Sequence, residues 1–173
     1  MNAVREVIAE IEANTPIERD LVRQWMADGD LLTRGAVYRL TNEAWARITP
    51  ELTGNEQCAF MASYLFDCLI SDPPSGEYIH TGFEAAWALA SWLKHLLGIP
   101  GTEQTIAQVA SNFRAAHLAG DAETRNRIGT GALEHVFESK ALVPYFEDWR
   151  SDPELKQEFE LALKWGEAHP SSH

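Results

Sequence analysis

The chain has 173 residues, 45% of them hydrophobic, six of them Trp, and its 26 acidic against 14 basic residues give a formal net charge of −12. That length suits a single domain over 1–173, able to bury a core without metals or disulfides, and the apolar fraction argues against a disordered tail. The acidic excess disfavours nucleic acid and anionic lipid as partners, the more so because Lys94 is the sole basic residue between positions 51 and 100.

Residues 2–13 carry Val4, Val7, Ile8 and Ile11 at helical spacing, which predicts an amphipathic surface helix. Charges at every turn leave no signal-peptide core there, and no uncharged run approaches the roughly 20 residues that span a bilayer. The chain is therefore expected to be cytoplasmic, without a membrane partner. Thr15-Pro16-Ile17-Glu18 combines an N-cap, a first-turn proline and a capping-box glutamate, predicting a second helix to about Ala27, ended by Asp28-Gly29-Asp30. A third is expected over 33–48, with Val37, Leu40, Ala44 and Trp45 inward, closing at Thr49-Pro50. Thr53 and Glu56 form a second capping box, opening a helix to about Ile70. Cys58 and Cys68, ten apart on that helix, lie roughly 15 Å apart along its axis, beyond disulfide reach. Residues 71–80, with two Pro and a Gly, form an irregular connector.

The run TGFEAAWALASWLKHLL, residues 81–97, is expected to be the central helix, opened by a Thr81/Glu84 capping box and stopped by Gly98 and Pro100. Ala85, Ala86, Leu89, Ala90, Trp92, Leu93, Leu96 and Leu97 cover a wide packed arc, with Trp87 also expected inside, and Glu84, Ser91 and His95 share a narrow polar stripe. Beyond it, helices are predicted over 102–118 and 121–139, joined at Ala119-Gly120-Asp121 as an αα-hairpin of helical-repeat type. A short aromatic segment over 142–149 and a last helix over 151–168, burying Leu155, Phe159, Ala162 and Leu163, complete the chain. No run alternates with period two between turn signals. The fold class is all-α, a multi-helix bundle of antiparallel helices.

An internal echo joins two of these helices. TGNEQCAFMASYLFDCL from Thr53 and TGFEAAWALASWLKHLL from Thr81 align without gaps, with Thr-Gly-x-Glu and Ala-Ser-aromatic-Leu in register. Their polar positions, Glu56 and Asp67 on one and Glu84 and His95 on the other, define a candidate polar seam between helices 53–70 and 81–97. That seam is where a small molecule or a metal would bind if the chain were a ligand-binding or enzymatic helical domain.

Catalytic signatures are missing. Gly129-Thr130-Gly131-Ala132-Leu133-Glu134 lacks the last glycine of a dinucleotide loop and falls within a predicted helix. There is no Walker loop, no G-x-S-x-G and no H-E-x-x-H. Glu77-Tyr78-Ile79-His80 has the E-x-x-H spacing of carboxylate-bridged metal sites, and Asp67, Glu84 and His95 could join it, but it sits in the connector without a second copy. No metal, cofactor or catalytic residue is assigned. Trp87, Trp92, Trp149 and Trp165 could cage a ligand, although Trp in a helical chain is more commonly a core filler.

From Leu118 to Trp149, LAGDAETRNRIGTGALEHV followed by LVPYFEDW resembles small acidic helical proteins of bacterial toxin-immunity families, through Gly120-Asp121, Asn126, Gly131, Leu133 and Glu134. The resemblance implies a non-enzymatic protein that occludes a toxin or effector. An acidic chain suits a basic protein partner, since complementary charge speeds encounter and aromatic anchors supply affinity. The acidic connector, with Asp72, Glu77, Tyr78 and His80, is the expected partner-binding segment, because long irregular loops are disproportionately functional.

Overall fold

In the computed structural model, which describes residues 3–170, the helices are α1 (Ala3–Ala13), α2 (Arg19–Met26), α3 (Leu31–Glu43), α4 (Gly54–Ser71), α5 (Gly82–Leu96), α6 (Glu103–Ala119), α7 (Ala122–Asn126), α8 (Glu134–Phe137), α9 (Glu147–Ser151) and α10 (Lys156–Ala168). The fold is all-α. Its strands, β1 (Ile17–Glu18) and β2 (Ile48–Thr49), form one two-residue parallel pair. Contacts sort the described chain into two compact units, 3–68 with 73–80, and 69–72 with 81–170.

In the first unit, α1 packs on α3. Asn14, in the left-handed region at φ 53, ends α1. The carbonyls left free there accept from one guanidinium, that of Arg47, which bonds Ile11 O at 3.0 Å and Thr15 O at 2.9 Å and also reaches Glu10 O. The expected capping box at Thr15 and Glu18 does not form. Ile17 is instead extended and buried beside Ile48, so α2 starts at Arg19 with Glu18 as an N-cap that makes no side-chain bond. Asp30, expected to end a helix, begins one: its carboxylate accepts from Leu32 N at 3.3 Å and Thr33 N at 3.2 Å. The third helix correspondingly ends at Glu43, because the chain from Trp45 turns into a 3₁₀ turn and then β2. Val37, Leu40 and Ala44 are buried as expected, and Trp45 only partly so.

The second unit is organised around α5. Thr81 and Glu84 make the reciprocal bonds of the capping box. Ala85, Ala86, Leu89, Ala90, Trp92, Leu93 and Leu96 are buried, Leu93 fully. Two expectations for this helix are corrected: Trp87 is 60% exposed and Leu97 36%. Trp87 lies three residues after Glu84 and four before Ser91, hence on the same stripe as the polar residues. The helix predicted over 121–139 is helical over 122–137, capped by Asp121 through Thr124 N at 2.8 Å, with a wider π turn over Arg127–Leu133. This segment packs on both α5 and α10. An aromatic cluster of Phe113, Phe137, Phe146, Trp149 and Phe159 fills the core, with ring centroids 5.2 to 6.3 Å apart. The last helix begins later than expected, at Lys156, after a turn at 153–155. It buries Leu155, Phe159 and Ala162, and Leu163 in part.

Candidate functional site

The residues of the connector are held by the units to which they belong. In the first unit, His80 Nδ1 lies 3.0 Å from the Tyr64 hydroxyl, and the His80 N–H donates to that hydroxyl at 3.3 Å. The Tyr78 carbonyl presses so closely on α3 at Gly35 that a Cβ there would collide with it. Only glycine permits that approach. Arg39 accompanies the segment outward, 3.3 Å from Glu77 and 5.4 Å from the centre of the Tyr78 ring. Glu77 keeps a 71% exposed side chain.

Asp72 belongs to the second unit and is committed there. One oxygen accepts from Gly82 N at 2.8 Å, and the other pairs with Arg127 at 3.1 Å. It ties internal structure together and is not a free surface charge.

The four candidate seam residues are each engaged within one unit or lie at its surface. Glu56 completes a capping box with Thr53 and pairs with Arg23 at 2.7 Å; the Thr53 donors, with Arg23 behind them, hold its carboxyl down to about 2. Asp67 pairs with Arg34 at 2.5 Å, and Arg34 also donates to Ser63 at 3.0 Å. Glu84 accepts from Thr81 N at 2.7 Å, and His95 is exposed. Among the described residues no three His, Cys, Asp or Glu side chains group as a metal site, and Cys58 and Cys68 are free thiols. Trp92 and Trp149 are buried, so the four Trp form no common cage.

Sequence reasoning missed a different surface in the second unit. The 127–137 segment runs between two helices that expose apolar side chains. On α5 these are Phe83, 45% exposed, and Trp87; on α10 they are Leu161, 55% exposed, and Trp165, 39% exposed. Phe83 abuts Gly131, and Trp87 meets the His135 ring at 5.6 Å. Trp165 stacks on His169 at 4.1 Å. Glu134 and Glu158 are half-buried in this region, and Gly129 leaves the space that the Glu158 carboxylate occupies. Burial pushes both carboxyls up, and the charge of Glu134 adds to the push on Glu158. One signal for this surface was legible: Glu158 and Trp165 recur at helical spacing on one side of α10, and His169, at its C-terminal cap, continues that spacing.

A cleft of about 600 Å³ also lies in the second unit, floored by Phe137, Val143, Pro144 and Leu163. Its rim is mixed in charge, Lys140 and Arg150 against Glu147 and Glu167, and Arg150 is already paired with Glu147 at 3.0 Å. Few polar groups are left to orient a small ligand there.

Comparison of the chain with protein-family models, with curated proteins and with solved structures finds no match. Among the described residues no helix is long and apolar enough to cross a membrane.

Proposed function

We propose that this protein acts by binding another protein that presents a basic surface, and that it occludes the partner's working face as an immunity protein occludes a toxin. The observation that carries this reading is a tryptophan 60% exposed on the central helix of a chain with a net charge of −12. Burying Trp87 in a partner would supply affinity, and the acidic field would supply speed. The pairing of Glu56, Asp67 and Glu84, each within its own unit, favours this over a ligand-binding or enzymatic site built on those carboxylates.

The test is affinity capture from the source cell with the full chain as bait, followed by purification of the captured protein and stopped-flow association at increasing salt. A one-to-one complex with a basic protein is expected. Its association rate should fall steeply as the screening length shrinks from about 10 Å at 0.1 M to about 3 Å at 1 M salt. Failure to recover a stoichiometric protein, together with thermal stabilisation of the chain by a small metabolite, would move the assignment to ligand binding.

A further inference from the structure

We infer that the exposed aromatic face of the second unit is the docking surface for a basic protein, with an arginine side chain of that partner received at Glu134 and Glu158 beside Trp87 and Trp165. This deepens the protein-binding reading and rests on it.

The surface is continuous along one helical segment. Phe83 and Trp87, one turn apart on α5, reach Gly131 and His135 respectively. On the other side Glu158 lies against Gly129, and His169, stacked on Trp165, is within electrostatic reach of Glu134. Exposed rings therefore lie on both helices that flank the segment carrying Glu134: Phe83 and Trp87 on α5, and Trp165 on α10, the helix that also carries Glu158.

Charge complementarity selects the occupant. The other half-buried carboxylates of this unit are paired, Glu138 with Lys94 at 2.7 Å and Asp152 with Arg114 at 2.5 Å. Among the described residues Glu134 and Glu158 have no ion pair. They lie close enough to repel, in a place where burial already disfavours charge. A cation arriving between them relieves both costs. Arginine fits better than lysine, because its planar guanidinium can bond two carboxylates and lie on an indole face. A second copy of this acidic chain would add like charge to the same place.

The test uses the ¹⁵N-labelled full chain titrated with the blocked peptide acetyl-Gly-Arg-Gly-Arg-Gly-Arg-Gly-amide at low salt. The signals read are the indole N–H groups of Trp87 and Trp165 and the Glu134 amide. Saturable one-to-one shifts at these groups are expected, with Kd raised about tenfold or more in Glu134→Gln/Glu158→Gln and in Trp87→Ala. A control with the same charge change, Glu12→Gln/Glu51→Gln in the first unit, should bind as the parent does. Thermal melts confirm that each variant is folded, and Trp87→Phe serves if Trp87→Ala is not. Absence of saturable binding, equal weakening by the control pair, or equal shifts by spermidine would each overturn the docking site. A captured basic partner that binds Glu134→Gln/Glu158→Gln as tightly as the parent would remove this site and leave the protein-binding reading standing. Recovery of no stoichiometric protein, together with thermal stabilisation of the chain by a small metabolite, would instead remove that reading.

Discussion

Asp72 and Arg127 meet at 3.1 Å across 55 residues of sequence, and through them the end of α4 is joined to the start of α5. The Arg127 side chain, 5% exposed, donates to the Leu69 carbonyl at 2.9 Å and the Ile70 carbonyl at 3.3 Å in the last turn of α4. The Asp72 carboxylate takes the Gly82 N–H in the first turn of α5. Removing the cation leaves two helix-end carbonyls without their donor and the half-exposed Asp72 carboxylate with the Gly82 N–H alone, so Arg127→Met is expected to cost about 3–5 kcal/mol. Asp72→Asn should cost less, about 1–2 kcal/mol, because the Asp72 side chain is 46% exposed and an amide oxygen can still accept from Gly82. Urea unfolding of both variants checks the order. A Asp72→Asn variant as stable as the parent would show that the pair contributes no stability.

Leu93 and Trp87 share α5 and separate its two roles. Leu93 is fully buried, so Leu93→Ala should lower the unfolding free energy by roughly 2–5 kcal/mol. Trp87→Ala should change it by less than about 1 kcal/mol, since most of the ring is already in water. Equal losses in chemical denaturation would place Trp87 in the core, contrary to the structure.

His117 gives an acid-side limit to stability. It is 5% exposed, meets Trp149 at 5.4 Å, and has a buried Nε2 without a hydrogen-bond partner. Burial, and then the charge of Arg125, hold its imidazole below the usual range. The unfolded chain therefore takes up that proton more readily. Its contribution is complete above the unfolded value of about 6.5 and is lost as pH falls toward the folded one. Melting temperatures between pH 7.5 and 5.5 should fall for the parent and fall less for His117→Phe.

Glu134 and Glu158 work in the opposite sense. Their folded carboxyls sit above the ordinary value, so the folded state holds protons that the unfolded state has released. Stability contributed by these groups is present at low pH and is lost as pH rises through the folded values. Glu158→Gln is expected to melt higher than the parent at pH 7, with the difference shrinking below about pH 4.5. A Glu158→Gln protein less stable at pH 7 would mean that its charge is compensated.

Much of the fold was legible locally. The two Thr-x-x-Glu boxes that open α4 and α5, the Asp121 cap and the Gly120 break act through near neighbours and need no tertiary context. Where a distant partner competes, local signals lose. Thr15-Pro16-Ile17-Glu18 has a complete helix-start pattern, yet Ile17 gains more by lying extended against Ile48 than by entering a helical turn. The same holds for function. Asp72 reads as a loop charge until Arg127, buried and satisfied by carbonyls of α4, is placed beside it. Trp87 reads as core by composition and lies in solvent because its position on the helix puts it with Glu84 and Ser91. Sequence alone determined the all-α class, the capped starts of α4 and α5 and how acidic the chain is, since spacing, capping and composition act within a few residues. Only the tertiary structure decided which carboxylates are paired and which aromatic rings stay exposed, because both depend on side chains that the chain brings together from far apart.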